Sequence, residues 1–209
     1  MSHRTENLPP LTGPARWLRE LRYHEASRQS FAVILVFLFC LTAAPQPLLV
    51  AIGLPIGLAG ELFRLYASGF IVKNQELATD GPYRFVRHPL YTGNILLVVG
   101  FAIAASRWWN LPVALFFFWF YYPPAIEYED RKLHRIFGEA WEKWSARTPA
   151  LMPRFAGAGG AGAQPIGAAS AGAADRAWSL GVSTMRNGEL VFLLFAIGCA
   201  AWIVWQTWG

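Results

Sequence analysis

The sequence has few charged residues and few cysteines. Only 15% of its 209 residues are charged, while 55% are apolar and ten are tryptophan. Because soluble domains carry about 25% charged residues, this composition excludes an ordinary soluble domain and predicts an integral membrane protein of one compact domain. The two cysteines, Cys40 and Cys199, fall inside apolar runs, where a thiol packs as a small hydrophobe. They therefore indicate neither a disulfide nor a metal site.

Common nucleotide-binding and metal-binding motifs are missing as well. The sequence contains no Walker loop, no HExxH and no CxxC. Residues 157–162 match the dinucleotide pattern GxGxxG, but that pattern binds a pyrophosphate only where a strand enters the turn and a helix leaves it. Here the match lies in a run of Gly, Ala, Ser and Pro, so we interpret residues 156–176 as a flexible linker and discard the dinucleotide site.

Long apolar runs are the main feature that is present. They predict an all-α polytopic membrane helix bundle with about five transmembrane helices, at residues 31–44, 48–66, 91–106, 111–126 and 190–208. A bilayer core about 30 Å thick needs roughly 20 helical residues, so the shorter runs must extend into flanking polar residues or lie in a thinned bilayer. The brief turns at 45–47 and 107–110 make two of the helix pairs tight hairpins.

The distribution of Lys and Arg predicts the orientation of these helices. Five Arg precede the first span, four Lys or Arg lie between Arg64 and Arg87, and eight lie between Arg131 and Arg186, whereas the two hairpin turns share only Arg107. Since positive charge is retained on the cytoplasmic side, we expect the amino terminus and both long polar segments in the cytoplasm and the carboxyl terminus outside, in a bacterial inner membrane. The net charge of +5 needs no nucleic acid to explain it.

These features divide the chain into five segments. Residues 1–30 form a cytoplasmic amphipathic segment lying on the membrane, and residues 31–68 form a first transmembrane hairpin. Residues 69–155 form a core that contains the second hairpin and an acidic helix. Residues 156–176 are the Gly/Ala-rich linker, and residues 177–209 contain a final transmembrane helix.

The first of the two polar segments contains an Arg-His-Pro turn, GPYRFVRHPLY at residues 81–91. Because proline is favoured at the first position of a helix, Pro89 predicts a helix that starts there with His88 as its cap. The backbone amides of the next three residues are then expected to be free, and a helix start with free amides and Arg87 beside it attracts an anion such as a carboxylate. The alternative is a membrane-edge anchor, in which Arg87 and Tyr91 contact lipid headgroups.

The second polar segment, residues 126–147, has helical periodicity. Glu129 and Asp130 fall on its apolar stripe and are expected to point toward the protein, whereas Glu127 is expected to pair with Arg131 on the solvent flank. A carboxylate that points into an apolar site must find a cation or a donor, which favours a functional role for Glu129. The stripe itself consists of Leu133, Ile136, Phe137, Ala140, Trp141 and Trp144.

At this point the chain resembles a known family. The pattern GPYRFVRHPLYTG, followed by an acidic pair, Phe137-Gly138, Trp141 and Thr148-Pro149, is similar to the isoprenylcysteine carboxyl methyltransferases. Phospholipid N-methyltransferases share much of this pattern. The resemblance covers residues 64–153 and leaves the linker and the final helix outside it.

The resemblance implies a methyltransferase without a Rossmann fold that uses S-adenosylmethionine, releases S-adenosylhomocysteine, and encloses its cofactor at the cytoplasmic face. Because methyl transfer from a sulfonium is an in-line displacement, we expect it to need no metal. Two departures from the family pattern bear on the substrate: the second family glutamate is Asp130 here, and the arginine that contacts a substrate carboxylate aligns with Ala125. The candidate catalytic residues are Arg87, Glu129 and Asp130. The cofactor contacts implied are Gln75, Glu76, Leu77, Ala78, Tyr83, His88, Pro89, Leu90, Tyr91 and Glu129.

The resulting hypothesis is methyl transfer to a lipophilic small molecule, a lipid or a prenylated acceptor. Glu129 would hold the cofactor's amino group or ribose hydroxyls, while the helix start at His88 would hold its carboxylate. Carboxyl O-methylation of a prenylcysteine-like substrate is favoured, because a carboxylate is ionised at neutral pH whereas an ammonium must first lose a proton. The alternatives are phospholipid N-methylation, a sterol-reductase-like enzyme that binds NADPH, and a non-catalytic membrane protein whose basic loops bind anionic lipid. The oligomeric state is left open.

Overall fold

The computed structural model describes residue 5 and residues 8–71, 76–153 and 178–209. This part of the chain consists of helices and turns and contains no β-strand, which confirms the predicted all-α class. The helices are α1 (Gly13–Tyr23), α2 (Glu25–Leu41), α3 (Pro47–Ser68), α4 (Pro89–Ala104), α5 (Asn110–Phe137), α6 (Glu139–Ser145) and α7 (Glu189–Trp208), with a 3-10 turn at Gly81–Arg84 and a π-helical turn at Val182–Arg186.

Each predicted apolar run coincides with a helix. By length and composition, α3 and α7 could each cross a membrane, and a third crossing is present if α1 and residues 28–41 count as one bent span. Helix α4 is a shorter apolar helix of 16 residues. The helical membrane protein is therefore confirmed, whereas the number of five spans and the division into five segments stay predictions. The linker at 156–176 lies outside the described residues.

The helix α5 differs from the sequence-based expectation. Its 28 residues join the predicted span at 111–126 and the first part of the acidic segment into one helix that contains Pro123 and Pro124. The acidic segment then breaks at Gly138, whose φ of 50° interrupts the helix before α6 begins. Pro123 and Pro124 lie in the middle of α5 without ending it, whereas Gly138, which has a positive φ, ends the helix.

The described chain forms two compact units. The first comprises residues 1–57, 98–131 and 199–209. In it the two predicted hairpin turns lie side by side, because the Ala44 amide donates to the Ala105 carbonyl at 3.0 Å and Arg107 Nε donates to the Thr42 carbonyl at 2.8 Å. The core of this unit includes Cys40 and Cys199, which are buried and free of any disulfide.

The second unit comprises residues 58–97 and 132–198. It contains a buried ionic group that sequence reasoning missed. Arg64 Nη2 lies 2.9 Å from Glu189 Oε2, and Arg64 also donates to Asn94 Oδ1 and lies 3.9 Å from the fully buried carboxylate of Glu61. Charged residues inside apolar helices survive only when paired, so these residues connect the second half of α3 with the starts of α4 and α7.

Candidate functional site

The Arg-His-Pro turn has the helix start that the sequence predicts. Helix α4 begins at Pro89, directly after His88. The prediction of free amides is wrong for two of the three residues, because the Tyr91 and Thr92 amides both donate to the His88 carbonyl, at 3.0 and 3.1 Å. An i to i+3 bond tightens the first turn of α4 and uses donors that an open helix end would have offered to an anion.

The turn is fixed to the segment that follows α6. The Arg87 amide donates to the Pro149 carbonyl at 2.8 Å, and the His88 amide donates to the Ala150 carbonyl at 3.0 Å. The Thr92 hydroxyl donates to the Leu151 carbonyl at 2.8 Å. Residues 149–151 are thus hydrogen-bonded to Arg87, His88 and Thr92, around the start of α4.

The Arg87 side chain is part of the same attachment. Its Nη1 donates to the carbonyls of Ser145 and Thr148, each at 3.1 Å. The guanidinium carbon also lies 6.0 Å from the ring centroid of Trp141. Ser145 is the last residue of α6, so the guanidinium binds carbonyl oxygens at the negative end of that helix. These contacts give Arg87 a structural role within the protein.

His88 and Tyr91 form a stacked pair one helical turn apart. Their ring centroids are 5.5 Å apart with an interplanar angle of 18°. His88 is 4% exposed, whereas Tyr91 is half-buried. Tyr91 is therefore the more solvent-accessible ring of this pair.

Four of the predicted cofactor residues come together in one hydrophobic cluster. Its buried members are Ala67, Phe70, Tyr83 and Trp144, and the partly buried residues packed against them are Ile71, Leu77, Ala78, Leu90 and Trp141. Tyr83 is only 7% exposed, so its ring belongs to the core of this cluster. The structure brings Tyr83 together with Leu77, Ala78 and Leu90, and their role as cofactor contacts stays a prediction.

A cleft opens beside this cluster. It is lined by Phe70, Glu76, Leu77, Ala78 and Asp80. Three of these residues were predicted from the resemblance, whereas Phe70 and Asp80 were not. Their proximity in sequence to 76–78 is the signal that would have found them. Gln75, also predicted, lies outside the described residues.

The chemistry of the lining is mixed. An aromatic ring and two aliphatic side chains provide apolar surface, and the carboxylates of Glu76 and Asp80 provide hydrogen-bond acceptors. Arg84 lies at the edge of this region, where its guanidinium is 3.4 Å from Asp80. Such a lining fits a ligand that has a flat ring together with hydroxyl or ammonium donors.

The acidic residues of α5 lie in the first unit. Glu127 is exposed and pairs with Arg131 at 3.8 Å, which confirms the predicted solvent flank. It also accepts a hydrogen bond from the Tyr23 hydroxyl at 3.2 Å, a contact that the sequence did not predict. Glu129 and Asp130 are half-buried. The pocket that the sequence predicts from Glu129 and His88 together stays a prediction.

The predicted apolar stripe is wrong in its middle part. Trp144 is 5% exposed and Trp141 is half-buried, but Ile136 is 42% exposed and Ala140 is also exposed. The periodicity was read through Gly138, where the helix breaks, so residues before and after it do not share one face. On the outer surface of this region His134 Nε2 lies 2.6 Å from Glu142 Oε1.

Comparisons with known proteins find a family model that matches part of this chain. The family model of the phospholipid methyltransferases matches residues 56–140. The cobalt-zinc-cadmium resistance protein CzcN of Cupriavidus metallidurans is 37% identical over 146 residues, which are 67% of this chain and 66% of that protein. The nickel-cobalt-cadmium resistance protein NccN of Alcaligenes xylosoxydans is 32% identical over 65% of this chain and 64% of its own length.

A more distant relative carries an enzyme name. The protein-S-isoprenylcysteine O-methyltransferase of Schizosaccharomyces pombe is 26% identical over 95 residues, 46% of this chain and 40% of that protein. The chain spans just under two thirds of the first two relatives, and no solved structure matches it. Residues 56–140 match the phospholipid methyltransferase family model, and relatives named as isoprenylcysteine O-methyltransferases match as well, so the predicted resemblance is confirmed.

Proposed function

We propose that this chain is an integral membrane methyltransferase that uses S-adenosylmethionine and acts on a lipophilic acceptor. One observation carries the proposal: Leu77 and Ala78 pack on the cluster around Tyr83 and also line the adjoining cleft. The cleft, and all of the cluster except Trp141 and Trp144, lie within the segment that matches the family model. Relatives with methyltransferase names support the class of reaction.

The chemistry of the cleft lining supports S-adenosylmethionine as the proposed cofactor. Phe70, Leu77 and Ala78 would contact the adenine ring and its neighbouring carbons, while Glu76 and Asp80 would accept hydrogen bonds from ribose hydroxyls or the amino group. The cofactor, when bound, supplies an electrophilic methyl group on a positive sulfur. The protein's own contribution is to align the two reactants and exclude water, which makes an apolar wall as important as the acidic groups.

The remaining predicted residues enter the proposal with different support. The proposed role of Glu129 as a further cofactor contact rests on the family resemblance, and so does the proposed role of Asp130 beside it. For His88, Pro89, Leu90 and Tyr91 the support is their position at the start of α4, where Leu90 packs on the Tyr83 cluster. Arg87 holds the carbonyls of residues 145 and 148, so we propose that it positions the turn. Its predicted anion-binding role is the alternative.

For the acceptor, we propose a prenylcysteine-like carboxylate. A carboxylate is nucleophilic without losing a proton, and its nucleophilicity rises as water is removed. Phospholipid N-methylation is the nearest alternative, since the matching family model is described as phospholipid methyltransferase. The site would lie at the cytoplasmic face of an inner membrane, as the distribution of basic residues predicts.

A metal site is not part of the proposal. Two relatives have names that refer to metal resistance. In the described residues, however, no group of three or more His, Cys, Asp and Glu side chains is placed to hold a metal ion. The cleft, by contrast, offers a hydrogen-bonding and apolar lining suited to an organic cofactor.

Cofactor binding tests the proposal most directly. The full-length protein in detergent is titrated with S-adenosylhomocysteine, and in parallel with NADPH, by calorimetry. We expect binding of the first only, and we expect Asp80→Asn and Glu129→Gln each to weaken it about 10- to 100-fold, the equivalent of one charge-assisted hydrogen bond. The control is Glu142→Gln, which changes an exposed acid on α6. Binding of NADPH alone would favour the reductase alternative, and binding of neither the non-catalytic one.

The acceptor is then identified by transfer of a labelled methyl group. The protein is incubated with labelled S-adenosylmethionine and with either a small prenylated cysteine or a phosphatidylethanolamine vesicle. The labelled product distinguishes the two acceptor classes. A base-labile product from the prenylated cysteine supports carboxyl methylation, because esters hydrolyse in base and methylamines do not. A base-stable product in the lipid fraction would instead show that the protein N-methylates a phospholipid.

A further inference from the structure

The carboxyl end of α3 is capped by side chains from a distant part of the chain. A helix leaves its last four carbonyl groups without partners inside the helix. Here Ser183 Oγ donates to the Leu65 carbonyl at 2.7 Å, and Trp178 Nε1 donates to the Tyr66 carbonyl at 3.1 Å. Asn187 Nδ2 donates to the Ser68 carbonyl at 2.8 Å. Three side chains that precede α7 therefore bind the last turn of α3.

Two further contacts make this attachment strong. The hydroxyls of Ser68 and Ser183 share a hydrogen bond, and both residues are fully buried. Arg64 binds Glu189, the first residue of α7, and neither side chain exposes more than 10% of its surface. Buried hydrogen bonds and ion pairs are costly to break, because the separated groups lack water as an alternative partner.

The capped end of α3 leads directly to the proposed cofactor cleft. The ring of Tyr66 lies 6.4 Å from that of Trp178 and 5.2 Å from that of Phe70, centroid to centroid. Phe70 lines the cleft and is a buried member of the Tyr83 cluster. The amides of Gly69, Phe70 and Ile71 in turn donate to the carbonyls of residues 66, 67 and 68. The position of Phe70 thus depends on the geometry of the same turn that the three side chains bind.

Gly69 makes room for this arrangement. A Cβ atom at residue 69 would overlap the indole ring of Trp178, because the indole occupies that space. An alanine there forces the indole to move while leaving Trp178 itself unchanged. The position offers a way to disturb the cap without removing any of its hydrogen-bonding groups.

We propose that residues 178–189 position the cofactor cleft: this segment caps α3 and so holds Phe70 in place. The inference rests on the proposed function, and it assigns a role to a segment outside residues 56–140, the part that matches the family model. Trp178, Ser183 and Asn187 are positioning residues that do not line the cleft. Residues 56–140 therefore need residues 178–189 to hold the cleft in its binding geometry.

The test compares three variants with a matched control. Trp178→Ala removes both the ring contact and the hydrogen bond, Trp178→Phe keeps a ring against Tyr66 but has no indole N–H, and Gly69→Ala displaces the indole. The control is Trp202→Ala, because Trp202 is 43% exposed against 41% for Trp178 and lies near the other end of α7. All are measured as the full-length protein, well below the temperature at which any of them unfolds.

Two quantities are measured for each protein: the Kd for S-adenosylhomocysteine, and the hydrogen-exchange rate of the amides at residues 69–71. We expect Trp178→Ala and Gly69→Ala to raise the Kd about tenfold and to speed exchange at these amides, with Trp178→Phe intermediate and Trp202→Ala unchanged. A purely structural role would lower the unfolding temperature without changing the Kd, and that result would overturn the inference.

The proposed function and this inference fail in different ways. If the wild-type protein binds S-adenosylhomocysteine and the Trp178 and Gly69 variants bind it equally well, the positioning role is wrong and the proposed function stands. If the wild-type protein does not bind it, the cofactor assignment is wrong. The exchange rates then decide whether residues 178–189 cap α3: faster exchange at residues 69–71 in the variants supports the cap, and unchanged exchange rejects it.

Discussion

The Arg-His-Pro turn and the helix α6 differ in what their polar groups bind. In the turn, the Arg87 guanidinium and the Arg87 and His88 amides bind backbone carbonyls of residues 145–150. On α6 the charged groups pair at the surface, Glu142 with His134 and Glu139 with Lys143. Both segments are polar and lie next to the same Tyr83 cluster, which contains Trp144 of α6. Their sequences alone make them look equally important.

The comparison shows that exposure, more than charge, separates the two segments. A buried donor that loses its acceptor leaves an unsatisfied group in a medium with little water, whereas an exposed ion pair exchanges its partner for solvent. Mutations in the turn should therefore cost much more than mutations of α6. The predictions below test this ordering, starting with the largest expected effect.

Arg87→Ala should have the largest effect. It removes the donor for the carbonyls of Ser145 and Thr148 and should lower the free energy of unfolding by about 2–4 kcal/mol. The measurement is equilibrium unfolding of the detergent-solubilised protein, followed by helical circular dichroism. Arg87→Lys keeps the charge but lacks the planar fork, so it should recover part of the loss. Wild-type stability combined with lost cofactor binding would instead make Arg87 a ligand-binding residue.

Gly138→Ala should rank second. A Cβ at residue 138 would meet no atom within 4 Å, so the cost comes only from a backbone with φ 50° and ψ −123°. That region is nearly restricted to glycine, and we expect a loss of about 1–2 kcal/mol by the same unfolding measurement. Gly198→Ala is the control, because residue 198 is helical, has open space for a Cβ and has no positive φ. Equal stability of the two variants would show that the break at 138 is not needed.

Thr92→Val should cost about 1 kcal/mol, the usual value of one hydrogen bond. The change keeps the shape of the side chain and removes the bond from the Thr92 hydroxyl to the Leu151 carbonyl, which joins the turn to residues after α6. The control is Thr207→Val, because the Thr207 hydroxyl donates to the Ile203 carbonyl, one turn back in its own helix. If both changes cost the same, the long-range contact contributes nothing beyond a local one.

Local features of the fold were predictable from the sequence, and long-range ones were not. The apolar runs, the helix start at Pro89 and the exposed pair Glu127 and Arg131 follow from periodicity and from the chemistry of proline. Gly138 was visible in the sequence too, but glycine is tolerated inside helices, and nothing local shows that its φ is positive. The periodicity therefore appeared to continue through it.

The candidate site was predictable to the extent that its residues are close in the sequence. Leu77, Ala78 and Tyr83 were found through the resemblance, and the structure brings them together. The cap on α3 could not be found, because Trp178 and Tyr66 are 112 residues apart and the carbonyl that accepts the bond carries no sequence information. Spacing rules describe neighbours on one helix, so contacts between distant segments need coordinates.

Glu139→Gln should have the smallest effect of the four. The hydrogen bond from Lys143 lowers the pKa of the Glu139 carboxyl, and both side chains are exposed, so solvent replaces most of what the pair contributes. Because the pKa is lower in the folded state, any contribution is present above the pKa of the unfolded chain, about 4.3, and is lost as the pH falls through the folded-state value. The unfolding midpoint of Glu139→Gln should therefore differ little from that of the wild type at pH 7 and approach it further as the pH falls through the folded-state value.

The same experiment at high salt sharpens the contrast between the two segments. Salt screens an exposed pair over about 10 Å at 0.1 M, so any difference between Glu139→Gln and the wild type should disappear in 1 M NaCl. The loss caused by Arg87→Ala should persist in the same buffer, because its carbonyl partners are neutral and the guanidinium is half-buried. If both losses disappeared together, Arg87 would have to act through exposed charges, and the separation of the turn from α6 by burial would be wrong.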